Sequence, residues 1–334
     1  MENKENFIEI KVDEACHDLR LDTFLTRVFD IVPSRSFAAK LIDKGLVLVE
    51  GKERKPSFKV TKNDTIKIDI SFMTQMQTSS PLAEPIDLNI LHEDADILVI
   101  NKPPNFVVHP GAGVTTGTLV NAVLFHCGMT LPFFESLGRA GIVHRLDKDT
   151  SGVMVVAKSQ IALTELSMQF AEHTQERFYY AVVYGIPKLG EGRIETWHGR
   201  HPKERIKYAV VNEGQGKKAI LNYKVEKTFE NINFSLVKCQ LHTGRTHQIR
   251  VQMSHLGHPI VGDLLYGHIP HGLLTRQKEI LAYLRKHVER QMLHAFHLGF
   301  QHPKTRKLVN FQADLPFDFK ETIAYLEKKN NDIS

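Results

Sequence analysis

Hydrophobic residues in this chain fall mostly into short runs and alternating stretches bounded by turn-forming residues, a pattern typical of strands. These patterns predict strands at 46–49, 66–70, 97–100, 106–108, 153–157, 179–184, 219–226, 234–241 and within 292–312. Helical spacing of apolar residues is less frequent and predicts helices at 37–42, 119–125, 162–170, 245–256 and 320–328. Because strands outnumber helices and many are joined by short turns, we predict an α+β fold with a mixed, mostly antiparallel sheet flanked by helices and loops.

The change in polarity along the chain predicts two domains. Residues 17–70 form a small first unit that combines a short helix with short strands. Residues 71–85 are polar, almost uncharged and without periodicity, as expected of a linker. Residues 86–328 form a second domain, long enough to bury a core of its own.

Positive charge is concentrated in the small first unit. The whole chain has a net charge of +5, and the segment from Arg20 to Lys67 alone contains 11 Lys and Arg against 6 Asp and Glu. Clustered positive charge favours a polyanionic partner, since neutralising phosphates releases counterions. A solvated basic face is the alternative that composition leaves open.

Composition excludes several classes of protein. The chain has 334 residues, of which 42% are hydrophobic and 24% charged, as in an ordinary soluble globular protein. No apolar run approaches the length that spans a bilayer, and three cysteines without close pairing do not predict a disulfide framework. No His-Glu-x-x-His or paired-cysteine spacing predicts a metal site. We expect a cytoplasmic monomer that needs no membrane and no metal.

The segment 144–152 concentrates the candidate chemistry. It places Asp147 and Asp149 among basic residues, immediately before the predicted buried strand at 153–157. An aspartate beside fixed positive charge is held ionised and can act as a nucleophile or a base. A surface turn with solvated charges explains the same residues equally well, so this segment alone does not decide between the two.

Several segments together resemble the RluA family of RNA pseudouridine synthases. Residues 144–152 match its HRLDxxTSG-type motif at every fixed position, residues 177–185 resemble its second motif, and residues 241–250 resemble its third. The resemblance runs in order through about 85–325, which is far more specific than any one motif. Residues 17–70 resemble an S4 RNA-binding domain, a fusion seen in the branch that modifies large-subunit ribosomal RNA.

The resemblance implies a role for each catalytic residue. Asp147 is the nucleophile or base that starts the reaction at the ribose, by attack on C1′ or by removal of a ribose proton. Arg245 is its ion-pair partner, with a phosphate contact or a surface charge as the alternatives. Tyr179 stacks on the flipped uracil and serves as acid or base at C5. The reaction is an isomerisation, so no cofactor is expected.

The implied activity is conversion of uridine to pseudouridine in 23S ribosomal RNA. The side chains expected to contact the RNA are Arg35, Lys40, Lys44, His144, Arg145 and Lys148. Alternatives are the same chemistry on another ribosomal RNA site or on tRNA, and a catalytically idle S4-type ribosome-assembly protein. A metal-dependent nuclease built on Asp147 and Asp149 is a further alternative, although the resemblance makes Asp149 a bystander.

Overall fold

The computed structural model describes residues 7–29, 32, 35–70, 81–111, 114–128 and 140–333. Its contacts divide the chain into two compact units, the first formed by Met1–Leu82 with Phe133–Ala140 and the second by Ala83–Pro132 with Gly141–Ser334. The predicted linker at 71–85 lies outside the described residues over 71–80. Within the described ranges, no helix is both long enough and apolar enough to span a membrane.

The first unit packs two helices against a four-stranded antiparallel sheet. Its elements are β1 (Phe7–Lys11), α1 (Leu21–Val28), α2 (Arg35–Asp43), β2 (Val47–Val49), β3 (Lys52–Glu53) and β4 (Thr65–Asp69). The strand order is β1-β4-β2-β3. Strand β1 precedes the predicted bounds 17–70 but pairs with β4 along its whole length. Apolar side chains of both helices and of β2 and β4 form one core.

The second unit is built on a ten-stranded sheet. Its strands are β5 (Ile90–Glu93), β6 (Ile97–Lys102), β7 (Ser151–Ala157), β8 (Glu176–Tyr184), β9 (Glu191–Arg200), β10 (Tyr208–Val211), β11 (Lys217–Phe229), β12 (Phe234–Leu241), β13 (Leu293–Gln301) and β14 (Leu308–Gln312). The order is β10-β9-β11-β12-β8-β13-β7-β6-β5, and β14 pairs with β13. The β7–β13 pair is parallel and the other pairs are antiparallel, which confirms the predicted α+β class and mixed sheet.

Six helices accompany this sheet in the described part of the second unit. They are α3 (Leu119–Cys127), α4 (Gln160–Glu172), α5 (Gln248–His255), α6 (His271–Arg276), α7 (Lys278–His287) and α8 (Phe317–Asp332). Strand β7 is buried along its whole length, as its continuous apolar run predicts. The candidate aspartate motif therefore leads into a buried strand that has a neighbour on both sides.

The predicted strand at 106–108 is wrong. The carbonyl groups of Val107 and Val108 accept hydrogen bonds from the backbone N–H groups of Leu119 and Val120, at 2.8 and 3.1 Å. The backbone carbonyl groups of this segment therefore hydrogen-bond to the first turn of α3 and not to another strand.

Candidate active site

The motif 144–152 forms a loop that ends in β7, next to β13. In the parallel pairing, Gly152 lies opposite Ala295 and has φ +121°. A Cβ atom built on Gly152 would lie 2.1 Å from the carbonyl oxygen of Ala295. Only glycine allows this close approach, so the last residue of the motif fixes where the loop enters the sheet.

A buried lysine, Lys102, holds the loop through hydrogen bonds to backbone carbonyl oxygens. The Lys102 side chain is completely buried, and its Nζ donates to the carbonyl oxygens of Pro103, Phe106 and Lys148 at 2.7, 3.0 and 2.9 Å. Burial lowers the pKa of Lys102 to about 7, while nearby Asp149 opposes that shift. Three acceptors require the three N–H donors of the ammonium form, so this geometry favours the charged lysine.

Asp147 forms its ion pair with an arginine of α5. Its Oδ2 accepts a hydrogen bond from Nη1 of Arg250 at 3.0 Å, and its Oδ1 lies 3.8 Å from Nε2 of His247. The Asp147 side chain is 17% exposed, so it is shielded but reachable. The described structure gives Asp149 no such partner, which supports Asp147 as the reactive carboxylate.

Arg250 is itself clamped by a second carboxylate. Asp263 accepts from Nε and Nη2 of Arg250 at 2.7 and 2.9 Å, a bidentate pair, and its side chain is completely buried. Burial alone would lower the pKa of Arg250, but Asp263 and Asp147 outweigh it and raise the pKa above the ordinary arginine value. Asp263 also accepts the backbone N–H groups of Leu265 and Tyr266. Arg250 thus reaches Asp147 from a fixed position.

The predicted ion pair between Arg245 and Asp147 is wrong. Nε of Arg245 donates to the carbonyl oxygen of Lys218 at 3.0 Å, and Arg250 occupies the position beside Asp147. Arg245 precedes the first residue of α5, Gln248, whereas Arg250 lies on that buried helix. Arg245 still lines the adjacent cavity, so its catalytic role stays a prediction.

A cavity of about 480 Å³ opens beside Asp147. Its volume is in the range of small-molecule pockets. Tyr179 lines it and is 6% exposed, whereas Tyr180 points to the other face of β8 and stacks on Phe296 with ring centroids 4.1 Å apart. Burial raises the pKa of Tyr179, Arg177 opposes the shift and Asp147 adds to it. Tyr179 and Asp147, both predicted to be catalytic, therefore line the same cavity.

The predicted RNA contacts in the motif separate into two kinds. Arg145 and Lys148 are exposed near Asp147, where they are free to meet phosphate. The ring of His144 stacks on Phe170 at 4.4 Å, and its Nε2 accepts from the backbone N–H of Val155 at 3.1 Å. Burial lowers the pKa of His144 to about 3, so this ring is neutral and braces the loop.

The predicted contacts in the first unit all lie on or just after α2. Arg35, Lys40 and Lys44 are exposed, and the Arg35 guanidinium lies 3.2 Å from the Asp22 carboxylate. The opposite face of the helix is buried in the core. This arrangement leaves one basic face available to an anionic partner.

Glu93, His126 and Cys127 are the one group of metal-ligating side chains found among the described residues. Their ligand atoms lie within 4.8 Å of one another. The Glu93 carboxylate already binds Lys158 at 2.6 Å and His126 at 2.8 Å. The group does not include Asp147, so it offers no metal to the candidate site.

Sequence comparisons agree with this geometry. The family model described as RNA pseudouridylate synthase matches residues 96–255, and the S4 domain model matches residues 19–66. The chain is 41% identical to an uncharacterized RNA pseudouridine synthase of Aquifex aeolicus, over 96% of this chain and 97% of that protein. It is also 41% identical to the ribosomal large subunit pseudouridine synthase D of Zymomonas mobilis, over 93% of this chain and 95% of that protein.

A solved structure supports the fold. The chain is similar to human RNA pseudouridylate synthase domain containing 4, with a TM-score of 0.55 and 23% identity. The similarity covers 77% of this chain and 96% of the human chain.

Proposed function

Because the chain belongs to the RNA pseudouridine synthase family and is a synthase of the RluA/RluD type, we propose that it isomerises uridines of 23S ribosomal RNA, with Asp147 as the reactive group. The observation that carries the assignment of Asp147 is its ion pair with Arg250 at the wall of the cavity lined by Tyr179. The Zymomonas relative is named a ribosomal large subunit pseudouridine synthase, which supports the large-subunit substrate.

The arrangement fits the steps of the reaction. A uridine flipped out of the RNA enters the cavity and its base lies against Tyr179. Asp147, positioned by its hydrogen bond from Arg250, acts at the ribose as the bond between N1 and C1′ breaks. The uracil then rotates and rejoins C1′ through C5, as Asp147 is released from C1′ or returns the ribose proton. Finally C5 loses its proton and N1 gains one. We expect the protein to do this in the cytoplasm, as a monomer and without a metal ion.

The activity is tested by incubating the purified protein with transcribed 23S ribosomal RNA that carries tritium at uracil C5. We expect release of tritium that is unchanged by a chelator, because the isomerisation needs no Lewis acid, and we expect the modified positions to map to a few uridines. 16S ribosomal RNA and bulk tRNA serve as parallel substrates. Release from tRNA but not from 23S ribosomal RNA would contradict the proposed substrate.

The basic face of α2 makes a separate prediction about RNA affinity. Replacing Arg35, Lys40 and Lys44 together by Gln should weaken RNA binding. It should also make the slope of log affinity against log salt concentration less steep by about 2, since each lost phosphate contact removes somewhat less than one unit. Filter binding from low to moderate salt measures both quantities.

A matched control removes the same charge from the other unit. Lys188, Lys320 and Lys328 are exposed, and their joint replacement by Gln should leave the slope nearly unchanged. Equal slopes for the two triple variants would show that the α2 face is merely solvated.

A further inference from the structure

Arg177 is a buried cation that the steps above do not use. It lies two residues before Tyr179 on β8, so both side chains point to the same side of the sheet, and both line the cavity. Arg177 is 8% exposed. Its Nε and Nη2 atoms are buried and hydrogen-bond to no partner in the described part of the chain.

The charges around Arg177 do not neutralise it. Burial lowers its pKa, the nearby Tyr179 raises it, and Arg245 lowers it further. Arg177 also lies 5.9 Å from the ring centroid of Phe170, a weak cation–π contact. A buried charge without a paired anion is destabilising. The fold therefore keeps the unpaired positive charge of Arg177 at one wall of the cavity, although this charge lowers its stability.

The backbone next to Arg177 leaves room for its side chain. A Cβ atom built on Gly244 would lie 2.8 Å from Nη1 of Arg177. A side chain at residue 244 would therefore press on the guanidinium.

Comparison with Lys102 argues against a purely structural role. Lys102 is also a buried cation, but all three of its N–H donors reach carbonyl oxygens. Arg177 keeps at least two donor atoms without an acceptor. A buried cation whose donors have no acceptor leaves an unpaired positive charge at the cavity wall, where it acts on any negative charge that arrives with the substrate.

The proposed reaction creates such a charge. When the bond between N1 and C1′ breaks, its electron pair stays on uracil and spreads over N1 and the two carbonyl oxygens. C1′ gains a bond to Asp147, or the ribose loses a proton, and either route releases the same uracil anion. The negative charge persists until C5 forms its bond to C1′, when the bond from C1′ to Asp147 breaks or the ribose regains its proton. Loss of the C5 proton and gain of a proton at N1 then complete the isomerisation.

We propose that Arg177 is a further catalytic residue, which stabilises the uracil anion in the cavity while the base is detached from the ribose. This inference rests on the proposed function. It is favoured over a phosphate contact because Arg177 lies beside Tyr179 and is nine-tenths buried, whereas Arg145 and Lys148 offer exposed cations for phosphate.

The test uses the full chain with Arg177→Met, and Arg193→Met as the matched control at an exposed arginine of β9. We expect Arg177→Met to lower the single-turnover rate about 100-fold, as for loss of one oxyanion donor. We expect the Kd for RNA to stay within about twofold, since no phosphate contact is removed. We expect the thermal midpoint to stay equal or rise, because an unpaired buried charge is gone.

Arg177→Lys, which keeps the charge, should recover part of the lost rate. RNA containing 5-fluorouridine supplies a further readout, because fluorine stabilises the uracil anion. The rate defect of Arg177→Met should therefore be smaller on 5-fluorouridine than on uridine. Nuclease digestion and mass spectrometry measure the consumption of 5-fluorouridine.

Three results would overturn the proposal. A weaker Kd with a reduced salt dependence and an unchanged rate would make Arg177 a phosphate contact. A lowered thermal midpoint with a matching loss of rate would make it structural. Equal rate defects of Arg177→Met on uridine and 5-fluorouridine would show that Arg177 does not stabilise the uracil anion. Absence of activity in the unsubstituted protein would instead contradict the proposed function itself.

Discussion

We expect the Asp147→Asn variant to release tritium from uridine C5 at least about 10³-fold more slowly than the unsubstituted protein, as when a nucleophile is removed from other active sites. The amide is nearly isosteric with the carboxylate, and its oxygen still accepts from Nη1 of Arg250. It is neither a nucleophile nor a base at neutral pH, so the chemistry stops while the fold remains. Tritium release and filter binding on the same RNA measure the two properties.

Asp149→Asn is the matched control for this variant. Asp149 lies two residues further along the same loop, and its backbone carbonyl, not its carboxylate, accepts from Nη1 of Arg290 at 3.0 Å. The control should keep its rate to within about tenfold, since it changes no group that touches the reacting atoms. Full turnover by Asp147→Asn, or loss of turnover by Asp149→Asn alone, would reverse the choice between the two aspartates.

The fold class was predictable because buried strands have a strong signal. The continuous apolar run of β7 and the regular alternation of β4 each mark a strand without reference to the rest of the chain. Strand β9 (Glu191–Arg200) was missed because it is mostly exposed or half-buried, and its polar sequence has no clear period. The sequence prediction was therefore best where burial is greatest.

The partner of Asp147 was not predictable at the same level. Arg245 and Arg250 lie in one decapeptide and differ only in their position relative to the start of α5. A signal was nevertheless present, because an arginine on a helix that is buried on all sides requires carboxylate partners. The choice of Arg250 depends on contacts with Asp147 and Asp263 across 103 and 13 residues of sequence. Such long-range pairing is a property of the folded chain.

Arg250→Met should destabilise the protein and inactivate it. The substitution leaves the completely buried carboxylate of Asp263 without its bidentate partner, so we expect the free energy of unfolding to fall by about 3–5 kcal/mol. The same substitution removes the hydrogen bond that positions Asp147, so turnover should fall by at least about 100-fold. Urea unfolding measures the first effect and tritium release the second.

A second substitution separates the two effects. In Arg250→Met with Asp263→Asn, the buried charge is gone, and the Asn side-chain oxygen still accepts from the backbone N–H groups of Leu265 and Tyr266. We expect this double variant to regain most of the lost stability but none of the activity, because Asp147 still lacks its partner. Arg245→Met removes only one hydrogen bond to a carbonyl oxygen and should lower stability by about 1 kcal/mol. An active double variant would show that Asp147 does not need Arg250. Loss of turnover in Arg245→Met at nearly unchanged stability would support the predicted catalytic role of Arg245, separate from the ion pair.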